Sequence, residues 1–160
     1  MRIAIAADHR GYAAKEKVSL MLAEQGHEVV DFGTNSARSC DYTDMAYPAA
    51  KAVIEGKADR AILFCGSGIG MSMSANKVPG ARAALCGDEL TAHMSRQHND
   101  ANILCLAADL VGEELMRRIV EVWLETDFLA GRHQRRVEKI AMIERGLDPT
   151  TYAEQGNRVS

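Results

Sequence analysis

The apolar positions of this 160-residue chain fall into five short blocks separated by longer stretches of helical period. Residues 2–7, 27–32, 60–65, 81–86 and 102–107 are nearly continuous apolar or small-residue runs, the pattern of strands buried on both faces. Residues 12–25 place Ala14, Val18, Met21 and Leu22 on one face and close at Gly26, which predicts a first helix. Further helices are predicted over 45–55, 68–77, 89–96, 112–124 and 133–145, while residues 34–44 form the longest loop and carry Cys40, Asp41 and Tyr42. Strands alternating with helices predict an α/β fold. The expected form is a three-layer, doubly wound α/β/α sandwich on a five-stranded parallel sheet (Rossmann-like), with an extra C-terminal helix. Ligands then belong at the carboxyl ends of the strands. Asp8 and His9 follow the first strand, 65–70 the third and Asp88 the fourth, so the polar clusters converge there.

Composition bounds this picture without changing it. With 47% hydrophobic and 26% charged residues the chain is an ordinary globular one, and its length fits one domain. That domain is placed at 1–146; the polar run 147–160 is a tail, expected to be frayed or draped on a neighbour. A net charge of −3 gives no reason to expect nucleic acid or a membrane surface as partner. No run approaches the roughly 18 apolar residues of a membrane span, and the N-terminus lacks the apolar stretch of a signal peptide. The cytoplasm is the expected compartment. The four cysteines (40, 65, 86 and 105) include no C-x-x-C pair, so neither a zinc site nor a disulfide framework is expected.

The chemistry concentrates at Cys65-Gly66-Ser67-Gly68-Ile69-Gly70, where a strand pattern turns into a helical one. Glycines there let backbone approach a ligand, and the N–H groups of the following helix favour an anion. The third glycine of a dinucleotide fingerprint would be Met71, and no P-loop is present, so a small phosphate or oxyanion fits better than a dinucleotide. A turn kept tight for packing alone is the plainer alternative. Cys86 and Cys105, inside apolar runs, read as small hydrophobes, and Cys40 as a loop residue. Cys65 differs because it is the last strand residue, at the mouth of the turn. Asp8-His9 and His98-Asn99-Asp100 are each ambiguous alone, since a solvated turn explains either. Arg132 and Arg136, spaced i, i+4, share a face at the start of the last helix. Cations at a helix start oppose its dipole, which hints at an anionic target rather than a solvated basic face paired with Glu138.

Taken together, Ala7-Asp8-His9-x-Gly11, Asp41-Tyr42, Cys65 to Gly70 with Ser74-Ala75-Asn76-Lys77, Ser95 through Asn102, and Gly131-Arg132-His133-Gln134-x-Arg136-Val137 resemble the ribose-5-phosphate isomerase B family and its relatives, the galactose-6-phosphate isomerase subunits. The resemblance runs in order from residue 2 to about 145. It implies a metal- and cofactor-free aldose–ketose interconversion of a sugar phosphate in a homodimer, or a tetramer, with composite sites. Cys65 would be the base that takes the proton beside the carbonyl, and Ser67 would shuttle a proton between the two sugar oxygens. Backbone N–H groups of Gly66, Gly68, Ile69 and Gly70 would stabilise the enediolate. His98 with Asp8 would open the furanose ring, and Asn99 and Tyr42 would hold hydroxyls. His9, Arg132 and Arg136 would clamp the phosphate, the arginines coming from the partner.

One position departs from the pattern. Asp109 stands where many relatives carry an arginine of the phosphate clamp. Two unit charges ~4 Å apart at an effective dielectric near 20 interact by about 4 kcal/mol, enough to move a substrate preference. Either Asp109 turns away to pair with an arginine, or the phosphate sits differently, or the substrate is not ribose 5-phosphate. Retention of His98 ranks a pentose phosphate first, because a tetrose 4-phosphate has no free O4 to close a furanose ring. A hexose 6-phosphate or a free aldose comes next. Two rivals lie outside isomerase chemistry: a flavodoxin-like module that binds phosphate or nucleotide without turnover, and a redox role for Cys65. The redox role is weakened by the lack of a second cysteine close in sequence.

Overall fold

In the computed structural model, which describes residues 1–152, the five apolar runs become β1 (Arg2–Ala7), β2 (Glu28–Asp31), β3 (Arg60–Cys65), β4 (Ala83–Leu85) and β5 (Ile103–Ala107). All pair in parallel in the order β2-β1-β3-β5-β4. The three central strands are as long as the sequence predicts or shorter by one residue. The edge strands β2 and β4, each with one partner, are cut back at both ends. Between the strands lie α1 (Tyr12–Glu24), α2 (Tyr42–Ile54), α3 (Ile69–Ala75) and α4 (Glu89–Asn99), followed by α5 (Glu113–Glu125) and α6 (Arg132–Glu144).

Alternate strand residues feed two cores. Ile3, Ile5, Ile62, Phe64, Leu104 and Leu106 pack against α1, α4 and α5. Ala4, Ala6, Leu63, Cys65 and Cys105 pack against α2 and α3. Both faces are fully covered, which is why the strands read as continuous apolar runs instead of alternating ones. On the second face α2 presents Ala46, Ala49 and Ala50 to Ala4 and Ala6, small residues on small residues, so this layer lies close to the sheet. On the first face Trp123 is fully buried; its Nε1–H donates to Ser95 Oγ at 3.1 Å, and the guanidinium groups of Arg60 and Arg96 lie over its ring. Burial lowers the Arg60 pKa to about 10, leaving it charged at neutral pH.

Three helix boundaries correct the sequence expectation. α2 begins at Tyr42, not 45: Asp41 takes the extended conformation of a helix cap, and Asp44 places a carboxylate in the first turn where the dipole favours it. α4 continues through His98 to Asn99, not to 96. It stops at Asp100, which adopts a left-handed backbone (φ 47°) while its carboxylate is held by Arg96 and Arg82 at 2.9 Å each. α3 is shorter than 68–77, with Gly68 as its cap. Of the predicted tail, residues 147–152 include a 3-10 turn (Pro149–Thr151), and Tyr152 donates its hydroxyl hydrogen to Glu138 on α6. Residues 153–160 of that tail lie outside the described residues. Among the described residues no helix is long and apolar enough to cross a membrane.

Candidate active site

Three neighbouring strands end at one edge of the sheet, and their continuations build a cleft of about 380 Å³. β1 delivers Asp8 and Arg10, β3 delivers Cys65, Gly66, Ser67 and Gly70, the segment after β5 delivers Asp109 and Leu110, and Tyr42 comes from the start of α2. The cleft thus gathers Asp8, Tyr42, Cys65, Gly66, Ser67, Gly70 and Asp109 from the residues singled out in the sequence.

Cys65 lies at its floor, 4% exposed, and the N–H of Gly68 donates to Sγ at 3.1 Å. That geometry depends on Gly68. Its φ is +73°, and a Cβ there would lie 2.4 Å from Leu85 Cδ1 and 3.0 Å from the Leu106 carbonyl carbon. The N–H of Ile69 donates to Ser67 Oγ at 3.3 Å. Two N–H groups of the turn are therefore spent on its own side chains. Those of Gly66, Ser67 and Gly70 have no protein acceptor among the described residues, so the oxyanion cradle is narrower than the run of glycines suggests. The Tyr42 ring covers Gly70 so closely that a Cβ there would approach it to 2.8 Å. Of the other cysteines, Cys86 and Cys105 are buried and burial pushes both thiols up, Cys105 well up.

Asp8 is 5% exposed and its Oδ1 accepts the N–H groups of Arg10 (2.9 Å) and Gly11 (3.0 Å), closing the turn into α1. His9 is half-buried, with Nδ1 3.3 Å from both the amide nitrogen and the carbonyl oxygen of Cys40, which pins the ring to the 34–41 loop. Asp88, at the end of β4, caps α4 by accepting the Thr91 N–H at 2.7 Å. Asp109 pairs with an arginine, its Oδ2 accepting from Arg10 Nε at 2.6 Å, but it does not turn away as the first of the three outcomes had it: the carboxylate stays in the cleft beside Gly66. Arg10 is, besides apolar Leu110, the cleft residue that sequence reasoning missed. No local signal links it to a carboxylate 99 positions away; both simply follow strands that flank β3.

The remaining residues form a second cluster elsewhere. His98 and Asn99 end α4, while Arg132, His133 and Arg136 begin α6. The rings of His98 and His133 stack at 4.2 Å with planes 7° apart. His133 is 5% exposed and its Nδ1 has no partner. Burial, then His98 and the two arginines, push its pKa below the usual imidazole range. Arg132 and Arg136 are exposed. α4 leads into β5 at Ile103, which pairs with Ala61, whereas Cys65 pairs with Ala107 at the other end of the strand. Four residues of strand rise roughly 13 Å, so one protomer holds the two clusters at opposite edges of its sheet. Asp8 and His98, expected to act together, do not meet within a protomer.

A second cavity of about 350 Å³ lies between α1 and α5. It is floored by Val18, Met21, Val111 and Met116 and holds no thiol, imidazole or hydroxyl; it touches the cleft through Arg10.

A family model described as Ribose/Galactose Isomerase matches residues 3–140. The chain is 45% identical over 143 residues to ribose-5-phosphate isomerase B of Escherichia coli, covering 89% of this chain and 96% of that protein. It is 39% identical over 145 residues to the D-erythrulose-4-phosphate isomerase of Pectobacterium atrosepticum, covering 90% and 95%. The solved ribose-5-phosphate isomerase B of Clostridium thermocellum superposes with a TM-score of 0.91 at 49% identity, covering 91% of this chain and 99% of that one.

Proposed function

The chain belongs to the ribose/galactose isomerase family and is an aldose–ketose isomerase, and from that premise we propose that it interconverts ribose 5-phosphate and ribulose 5-phosphate through a cis-enediolate. The observation that carries this reading is Cys65 Sγ at the cleft floor, fixed by the Gly68 N–H at 3.1 Å beside three uncommitted backbone N–H groups. A base beside backbone donors not spent on protein acceptors is what removal of a weakly acidic C–H requires. The Cys65 thiolate takes the proton from C2 of the open-chain aldose, and negative charge develops on O1. The N–H groups of Gly66, Ser67 and Gly70 stabilise that charge; a donor of this kind is worth about 3–4 kcal/mol in comparable oxyanion holes. The Ser67 hydroxyl moves a proton between O2 and O1, and the thiol returns its proton to C1. No atom is gained or lost.

His98 opens the furanose ring, with Asp8 as the facing carboxylate, while Asn99 and Tyr42 hold hydroxyls. His9 with Arg132 and Arg136 holds the phosphate. Because the His98 cluster is remote from Cys65 within a protomer, the working site combines β1, β3 and β5 ends of one copy with α4 and α6 of a second. Support for a second copy comes from exposed Ile69, Met73, Leu85, Leu90 and Met94 on α3, β4 and α4, an apolar patch that begins at the cradle itself. Asp109 keeps a second substrate reading in play, a hexose 6-phosphate or free aldose handled by the same chemistry, and one relative bears the name of a tetrulose phosphate isomerase.

The test is a panel of ribose 5-phosphate, hexose 6-phosphates, erythrose 4-phosphate and free aldoses with EDTA-treated protein, run in D₂O. The expected result is fastest turnover on ribose 5-phosphate, with solvent deuterium in the product. Preference for another sugar would move the substrate, and undiminished turnover by Cys65→Ala would remove Cys65 as proton carrier.

A further inference from the structure

Among the described residues, Arg10 is the only cationic side chain lining the Cys65 cleft. Its guanidinium is gripped on one edge by Asp109, and that pair lies directly over the cradle: a Cβ on Gly66 would meet Asp109 Oδ2 at 2.6 Å and Arg10 Nε at 3.1 Å. The site is built from both sides. The Arg10 N–H donates to buried Asp8, whose own N–H donates to the Phe64 carbonyl at 3.1 Å, and the Asp109 N–H donates to the Gly66 carbonyl at 3.0 Å, so Asp109 is fastened to the turn that carries Cys65 and Arg10, through Asp8, to the strand that leads into it. Asp109 takes only Nε. Among the described residues no other side chain hydrogen-bonds the guanidinium, which leaves its Nη groups without a protein partner where Arg10 borders the cleft and the α1–α5 cavity. A fork fixed on one edge with its other donors open is suited to bidentate binding of a phosphate.

We propose that Arg10 binds the phosphate of the substrate from within the same protomer as Cys65, and that Asp109 is its positioning residue. This deepens the sugar-phosphate reading above and rests on it for the identity of the ligand, although the anion site itself does not require turnover. Asp109 then has two opposed effects on a bound phosphate: it repels as an anion and helps by aiming Arg10. Which one wins depends on whether Arg10 is present.

The experiment is a double-mutant cycle on Arg10→Met and Asp109→Asn, read by calorimetric binding of inorganic phosphate and by kcat/KM for ribose 5-phosphate and free ribose. Losing a charge-assisted pair weakens phosphate binding by about tenfold to a hundredfold in Arg10→Met, with the same factor lost from ribose 5-phosphate but not from ribose. Asp109→Asn weakens phosphate binding in the wild-type background and strengthens it in the Arg10→Met background, a reversal of sign that a merely structural carboxylate does not give. Arg10→Lys, which keeps the charge without the fork, falls between. Unchanged phosphate binding in Arg10→Met overturns the proposal, and stronger binding in Asp109→Asn in both backgrounds overturns the role of Asp109. If wild type turns over no sugar phosphate yet loses phosphate binding with Arg10, the isomerase reading fails and this site stands.

Discussion

The Cys65 turn and the His98–His133 cluster hold comparable chemical groups but are built in opposite ways. Around Cys65, all the lining residues but Tyr42 lie on direct continuations of central strands, and the backbone closes on itself: Gly68 to Sγ, Ala108 to the Cys65 carbonyl, Asp109 to the Gly66 carbonyl, Asp8 to the next two amides. Around His98, two helix ends meet with one stacked ring pair, a single backbone bond from Leu129 to Gln97 and exposed arginines. The first region holds, within one protomer, both the base and the oxyanion donors that the proposed mechanism needs. The second has cations and an imidazole with nothing in the same protomer to act on. Under the function proposed above, the difference means that the fold fixes the proton-transfer step within a chain and leaves ring opening and much of the phosphate grip to association.

This contrast breaks most visibly at its centre. Cys65→Ala removes the base and is expected to lower kcat on ribose 5-phosphate by about 10³-fold, within the usual 10²–10⁴ range for a positioned proton-transfer group. Phosphate binding should survive, because its donors are elsewhere. His98→Asn is expected to cost less, about 10²-fold on ribose 5-phosphate, and to spare erythrose 4-phosphate, which has no furanose ring to open. Steady-state kinetics on the two sugars checks this; an equal loss on both would give His98 some other role. The smallest effect concerns the buried imidazole. The folded-state pKa of His133 lies below its unfolded value, near 6.5. Its contribution to stability is therefore fully present above that value and is lost as pH falls below it, because the unfolded chain then binds the extra proton. Thermal melting from pH 7.5 to 5.5 should fall less steeply for His133→Asn than for wild type.

Much of the fold was legible because the central strands are buried on both faces and show as unbroken apolar blocks. Cys65 stood out because it ends such a block where glycines begin. Boundaries were less legible where polar side chains decide them through distant partners. His98 and Asn99 read as loop, yet Arg96 and Arg82 hold Asp100 in the left-handed conformation that lets α4 run to Asn99. The Arg10–Asp109 pair was half visible: the carboxylate was conspicuous, its partner was not. Least legible was the separation of the two clusters. Motifs that adjoin strands in sequence do not declare which end of the sheet they occupy, and α4, returning antiparallel to the strands, carries His98 to the far end.

Mixing subunits tests the composite site most directly. Protomers bearing Cys65→Ala and protomers bearing His98→Asn are each expected to keep no more than about a hundredth of wild-type activity as pure assemblies. A dimer with one of each has one site in which the intact Cys65 of one copy meets the intact His98 of the other. Random reassembly makes about half of all dimers mixed, so activity on ribose 5-phosphate should return to about a quarter of wild type. No recovery on mixing, with mixed dimers shown to form by mass spectrometry, would mean that Cys65 and His98 do not serve one shared site across two copies.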